Sequence, residues 1–157
     1  MKIHWDTLAQ AEWDAHHARA AAALQQDWAY GACMKAMGVT VLRAYVEQDG
    51  APVALAQFIV RRFAGQLASM ALCSLGPVWL QPLSGAEKKQ VYQALKRTMP
   101  LPNLRLVAVT PQEPWSTELG LSRWRRVMTG HSTVMLDITP SMDALRAQLD
   151  RRWRHRL

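Results

Sequence analysis

Three apolar segments between residues 39 and 74, separated by short turns, constrain the fold of this chain more than any other feature. Val39 to Glu47 is rich in β-branched and aromatic residues, and Val53 to Phe63 is almost continuously apolar. Asp49-Gly50 between them is a strong hairpin signal. Ala64-Gly65 predicts a second turn, before a third strand over Gln66 to Ser74. Consecutive strands joined by tight turns form an antiparallel meander.

Helical patterns flank the predicted meander. Trp5 to Asp27 is rich in alanine, the best helix former, and a second helix over Leu24 to Met37 ends at Gly38. Ser84 opens a later helix with a capping box, and Pro100 ends it. The remaining predicted elements are a central strand over Leu104 to Thr110, a helical turn over Ser116 to Gly120, strand candidates over Trp124 to Met128 and Ser132 to Ile138, and a last helix that starts at Thr139-Pro140-Ser141. This order predicts an α/β domain with a mixed, mainly antiparallel sheet flanked by helices.

A set of short segments in a defined order carries a family resemblance. They are Leu24 to Trp28, Lys35 to Gly38, Asp49-Gly50, Val53 to Gln57 with Arg61-Arg62, Leu75 to Trp79, Ser132 to Ile138 with Leu145, and Trp153-Arg154. The element order resembles the GNAT acyltransferase fold, and these segments resemble the first half of the Fem-type (FemABX-like) aminoacyl or acyl transferases. The resemblance implies a GNAT-like domain over residues 1–140 and a basic helix over 141–157 that leads towards a second half.

The resemblance also implies a function for the complete protein. It implies transfer of an aminoacyl or acyl group onto an amine acceptor such as a peptidoglycan precursor, by a protein whose first half is not active alone. The implied donor is acyl-CoA or aminoacyl-tRNA, and the implied partner is a second GNAT-like half or a partner subunit. We predict substrate contacts from Trp28, Lys35, Arg61 and Arg154. The alternative for Trp28 is a purely structural role as a core aromatic residue.

The stretches after the third and fourth predicted strands lack the phosphate cradle of an acyl-CoA site. Such a cradle is a glycine-rich loop at a helix start, whose backbone N–H groups point at the pyrophosphate. Residues 76–85 and 110–114 instead contain prolines, which have no N–H to donate. We therefore expect no cofactor in this domain.

Positive charge predicts an anionic partner. The formal net charge is +7, and residues 121–157 hold eight arginines against three aspartates. Arginine forks suit phosphate oxygens, so an aminoacyl-tRNA, the diphosphate of a cell-wall precursor and an acyl-carrier phosphate are all reasonable partners. The family resemblance favours the first two. Two alternatives remain open at this point: a non-catalytic RNA- or protein-binding module, and a self-sufficient N-acetyltransferase.

Other function classes find little support in the sequence. His16 and His17 are adjacent on a predicted helix and cannot share a metal ion, and Glu113 is a lone loop carboxylate that is weak evidence for a general base. There is no Walker-type loop or nucleophile elbow. The sequence also predicts no secretory signal, no transmembrane segment and two free thiols, Cys33 and Cys73, which together indicate a cytoplasmic protein.

Overall fold

The computed structural model describes residues 1–63, 67–102, 104–113, 119–127 and 137–149. The chain divides into two compact units, Met1–Arg125 and Arg126–Leu157. The domain limits implied by the resemblance, 1–140 and 141–157, stay a prediction.

From α1 to β6, apart from the short strand β5, the elements follow the predicted order of helices and strands. In chain order they are β1 (Lys2–Trp5), α1 (Gln10–Arg19), a 3-10 turn (Leu24–Gln26), α2 (Trp28–Ala36), β2 (Thr40–Gln48), β3 (Ala51–Phe63), β4 (Ala68–Ser74), β5 (Val78–Trp79), α3 (Gly85–Thr98), β6 (Leu104–Thr110) and α4 (Met142–Gln148). The predicted α/β class, with a mainly antiparallel sheet flanked by helices, is confirmed.

The six strands form one sheet in the order β1-β2-β3-β4-β6, with β5 paired to the first part of β3. The β2–β3–β4 meander is antiparallel, as predicted, and β4 and β6 are parallel. Asp49 and Gly50 have φ angles of 53° and 79°, the left-handed backbone that the hairpin turn requires. The parallel pair is joined by a crossover that contains α3. The predicted turn at Ala64-Gly65 lies outside the described residues.

The core lies on both faces of β3. Because successive strand residues point to opposite faces, Ala54 and Ala56 pack with α3, whereas Leu55 packs with Trp13 of α1. Val91, Leu95 and Met99, the predicted apolar face of α3, are all buried. Burial of a side chain such as Phe58 stabilises the fold by about 1.5–3 kcal/mol.

The prediction of a helix from Trp5 is wrong. Lys2–Trp5 instead pairs with Ala44 to Glu47 of β2, and the chain turns at Asp6, whose φ is 54°. The Asp6 carboxylate accepts a hydrogen bond from the Arg43 backbone N–H at 3.0 Å, so this side chain fastens the end of β1 to β2. The long-range pairing of β1 with β2 outweighs local helix propensity.

The elements after β6 are described only in part. Within the described residues β6 is the last strand of the sheet, whereas we predicted a central strand. Residues 124–127 are not in a strand, and residues 132–136 and Ser116 lie outside the described residues. In the second unit α4 begins after Ser141, as predicted, and the Ser141 hydroxyl accepts a hydrogen bond from the Ala144 N–H.

Candidate functional site

The carboxyl ends of the parallel strands β4 and β6 meet at one edge of the sheet, the place where α/β sheets commonly bind ligands. The backbone N–H groups of the first two residues after β4 already donate hydrogen bonds within the chain. The Leu75 N–H donates to Thr110 Oγ1 at 3.0 Å, and the Gly76 N–H donates to the Thr110 carbonyl at 3.2 Å. These bonds tie the two strand ends together and leave neither N–H available to a phosphate.

The N-terminus of α3, which follows this edge, is also occupied by the chain itself. The Ser84 N–H donates to Glu87 Oε2 at 2.8 Å, and the Glu87 N–H donates to Ser84 Oγ at 3.3 Å, which confirms the predicted capping box. The hydrogen bonds from Ser84 lower the pKa of the Glu87 carboxyl below its ordinary value. A carboxylate therefore stands where the helix would attract an anion.

Gly120 packs against the same end of α3. A Cβ at this position would lie 2.6 Å from the Lys89 backbone nitrogen and 2.7 Å from the Gly85 carbonyl oxygen. The chain at residue 120 therefore lies directly against the first turns of α3.

A mostly buried ion pair fills the space between the loop after β6 and α3. Lys88 Nζ lies 2.9 Å from Glu113 Oε2, and their side chains are only 9% and 15% exposed. The Trp79 indole N–H donates to the other Glu113 oxygen. The ring of Trp79 meets Tyr92 edge to face at 5.7 Å, and Tyr92 meets Trp124 at 5.9 Å. Both oxygens of Glu113 are thus engaged in holding this loop, which argues against its use as a free general base.

We call this region the closed edge, defined by Leu75, Gly76, Trp79, Ser84, Glu87, Lys88, Tyr92, Thr110 and Glu113. Tyr92 is buried within the closed edge, and Cys73 is buried next to it. Burial raises the pKa of the Cys73 thiol to about 12, against a smaller opposing effect of the hydrogen bond from Gln26. Burial also raises the pKa of Tyr92, and the nearby Cys73 and Glu113 raise it further. Both groups are neutral at physiological pH, so neither offers a nucleophile here.

The four residues predicted to contact substrate occupy different settings. Trp28 is the first residue of α2, half-buried, and the Arg43 guanidinium stacks 3.6 Å from its ring centroid. Lys35 is exposed in the last turn of α2, and Arg61 is exposed on β3. In the described part of the chain no hydrogen bond or ion pair joins these three side chains. Arg154 lies outside the described residues. Their roles in substrate binding stay predictions.

The chain has partial similarity to a solved protein structure. No protein-family model and no curated protein sequence matches the chain. Among solved structures, the crystal structure of FemX matches with 19% sequence identity and a TM-score of 0.46. The match covers 62% of this chain and 23% of the FemX chain, so the matched part spans less than a quarter of the FemX chain.

Sequence reasoning missed a buried polar network between α2 and the sheet. Arg43 Nε donates to Gln57 Oε1 at 2.8 Å, and the Gln57 N–H donates to Gln26 Oε1 at 2.7 Å. The three side chains are at most 5% exposed. Gly31 makes room for them, since a Cβ there would lie 2.1 Å from Gln57 Oε1. The network fastens the segment from Gln26 to α2 onto the sheet. The sequence signal that could have revealed this network is a polar residue inside an apolar part of a strand, Arg43 in β2 and Gln57 in β3. Such a residue is usually buried and hydrogen-bonded.

Across the described ranges, no three His, Cys, Asp or Glu side chains are grouped so as to hold a metal ion. None of the helices described is long and apolar enough to cross a membrane.

Proposed function

We propose that this chain is the substrate-positioning half of a Fem-type aminoacyl or acyl transferase that acts on an amine acceptor. In this proposal the complete protein takes acyl-CoA or aminoacyl-tRNA as donor, and a second GNAT-like half or partner subunit supplies the donor site. The chain described here contributes one wall of the cleft and binds a phosphate-bearing acceptor, of which a peptidoglycan precursor is the leading candidate. Such a protein works mainly by positioning its two substrates.

The closed edge is the observation that carries the proposal. The element order, an antiparallel meander followed by a crossover helix and a parallel strand, is the order that the GNAT resemblance implies. In that arrangement the pyrophosphate of acyl-CoA is expected at the N-terminus of the crossover helix. Here the Thr110 hydrogen bonds, the Ser84–Glu87 capping box and the Lys88–Glu113 pair occupy that position. This occupation supports a division of labour in which the donor binds elsewhere.

Charge supports a phosphate-bearing acceptor. The chain has a net charge of +7, and Lys35 and Arg61 are exposed with no hydrogen-bonding or ionic partner among the described residues. An exposed cation without a partner is free to approach a phosphate, and such contacts weaken as salt rises.

Calorimetry with the full 157-residue chain tests the proposal in two arms. Acetyl-CoA is expected to give no binding heat, whereas a nucleotide-linked cell-wall precursor is expected to bind with an affinity that falls as salt is raised. The double variant Lys35→Gln, Arg61→Gln should weaken precursor binding by about tenfold, as expected for the loss of charged phosphate contacts. Lys2→Gln, an exposed lysine on β1, is the matched control and should leave the affinity unchanged.

Two results would contradict the proposal. Stoichiometric binding of acetyl-CoA would show that the closed edge, or another part of this chain, holds the donor. The precursor could also fail to bind, or bind equally well to the double variant. Either result would show that Lys35 and Arg61 do not form the acceptor site. Equally tight binding of deacylated tRNA would favour the RNA-binding alternative.

A further inference from the structure

A groove of about 390 Å³ lies between the C-terminal turn of α1, the start of β3 and the segment that follows β5. This volume is within the range of small-molecule sites in proteins. None of the residues predicted to bind substrate lines it. We call it the α1 groove.

The polar side chains of the α1 groove are all neutral or basic. His16 and Arg19 come from α1, where a spacing of three places them on the same side of the helix, and Gln81 comes from the segment after β5. The sequence has 12 acidic residues, yet no Asp or Glu lines the groove. The exposed Arg19 guanidinium has no ion-pair or hydrogen-bonding partner among the described residues, so its positive charge is available to a ligand.

The C-terminal end of α1 could oppose anion binding, because the last carbonyl groups of a helix carry partial negative charge. In this structure those carbonyls are already used. The His16 and His17 carbonyls accept hydrogen bonds from the N–H groups of Ala20 and Ala22, and the Ala18 carbonyl accepts one from Ala21. The full charge of Arg19 therefore outweighs the residual dipole of the helix end.

The remaining walls of the α1 groove are apolar and rigid. Trp79, Leu80 and the prolines Pro52 and Pro82 provide them. The indole of Trp79 is held from behind, because its N–H donates to Glu113 and its ring packs on Tyr92. Proline rings have little freedom to move, so these walls lose little entropy when a flat ligand packs on them.

We propose that the α1 groove binds a phosphate monoester carried by an aromatic or similarly flat ring. Arg19, His16 and Gln81 face the phosphate, and Trp79, Leu80 and the two prolines face the ring. Three separate donor side chains match a phosphate, with its three terminal oxygens, better than a carboxylate, with two. The inference is independent of the proposed transferase role, because neither Lys35, Arg61 nor the Thr110 hydrogen bonds contribute to the groove.

Phenyl phosphate is the probe that tests this assignment on the full chain. Calorimetry should give millimolar affinity for phenyl phosphate, about tenfold weaker affinity for inorganic phosphate and benzoate, and no measurable affinity for phenol. In ¹H–¹⁵N spectra, phenyl phosphate should shift the backbone amides of His16, Arg19, Leu80 and Gln81.

Variants locate the phosphate contact. Arg19→Gln should weaken binding of phenyl phosphate by about tenfold, and Gln81→Ala by a smaller factor, because a charged hydrogen bond contributes more than a neutral one. Arg97→Gln, an exposed arginine in the last turn of α3, is the matched control and should bind like the wild type. Both arginines are exposed, so neither change threatens folding.

Three outcomes would overturn the assignment. The first is an absence of shifts at the groove amides when phenyl phosphate is at 10 mM, a concentration of about ten times the expected Kd of about 1 mM. The second is equal weakening by Arg19→Gln and Arg97→Gln, which would indicate a general charge effect. The third is benzoate binding as tight as that of phenyl phosphate, which would replace the phosphate head by a carboxylate.

Discussion

The closed edge and the α1 groove share Trp79 but differ in what their polar groups do. At the closed edge the Leu75 and Gly76 N–H groups, the Glu113 carboxylate and the Lys88 ammonium have partners within the chain. In the groove the Arg19 guanidinium has no such partner among the described residues. The edge is the place in the sheet where ligands are commonly found, yet the groove keeps the capacity to bind one. Position in a fold thus predicts a site only when the donors at that position are still free.

The largest expected effect is on the reaction rate of Cys73, the buried thiol next to the closed edge. In a Cys33→Ser chain, Cys73 should react with an aromatic disulfide reagent about a thousandfold more slowly than an ordinary exposed thiol, because it is buried and its pKa is raised to about 12. Absorbance of the released thiolate measures the rate. The same chain unfolded in denaturant is the control and should react at the ordinary rate. Fast labelling of the native chain would show that the closed edge opens readily.

Removal of one partner from the buried ion pair should affect stability far more than a change in the groove. Lys88→Ala leaves the Glu113 carboxylate buried without its cation and should lower the free energy of unfolding by about 3 kcal/mol. Arg19→Gln should change it by no more than about 0.5 kcal/mol, because the side chain is exposed. Urea unfolding followed by circular dichroism measures both.

Lys89→Ala, which removes the adjacent lysine of the same helix, controls for the helix and for net charge. The double variant Lys88→Met, Glu113→Leu should recover much of the lost stability, since apolar replacement of a buried pair is often neutral. A loss after Lys88→Ala no larger than that after Lys89→Ala would mean that the pair is solvated in solution.

The hydrogen bonds between the strand ends should make a smaller contribution. Thr110→Val keeps the shape of the side chain but removes the oxygen that accepts from the Leu75 N–H, and should cost about 1 kcal/mol of stability in the same urea experiment. Thr40→Val, at the start of β2, is the matched control and should be close to neutral. Equal effects of the two substitutions would show that the Leu75 N–H finds another partner.

The smallest effect should be a pH dependence at the N-terminus of α3. The pKa of Glu87 is lowered in the folded chain, so its contribution to stability is present above the ordinary glutamate pKa of about 4.3 and is lost as pH falls through the folded value. The stability difference between wild type and Glu87→Gln should therefore shrink as pH is lowered from 6 to 3. Repeating the pair in a Ser84→Ala background should reduce this dependence, because the Ser84 hydroxyl is one of the groups that lowers the pKa. If the pH dependence is unchanged in the Ser84→Ala background, the capping box is not its cause.

Local patterns predicted the elements whose signals lie close together in the chain. Asp49-Gly50 predicted its turn, and Ser84 with Glu87 predicted the start of α3. The strand β1 was missed because its pairing partner lies some 40 residues away in β2. The burial of Arg43 was missed for the same reason, since its partner Gln57 and the stacked Trp28 come from separate segments.

The site was less predictable than the fold. Prolines after β4 and β6 predicted stretches with few N–H donors, but the bonds that Leu75 and Gly76 make to Thr110 could not be anticipated. Glu113 appeared in the sequence as an isolated loop carboxylate, and only its approach to Lys88 and Trp79 shows that it is fully engaged.

The amino-acid sequence by itself determined the α/β class, the antiparallel meander and the caps that start α3 and α4, because these depend on residues a few positions apart and on the alternation of apolar side chains. The tertiary structure alone decided which polar groups are paired and which are free. That distinction depends on distances between segments far apart in the chain, and it separates the closed edge from the α1 groove.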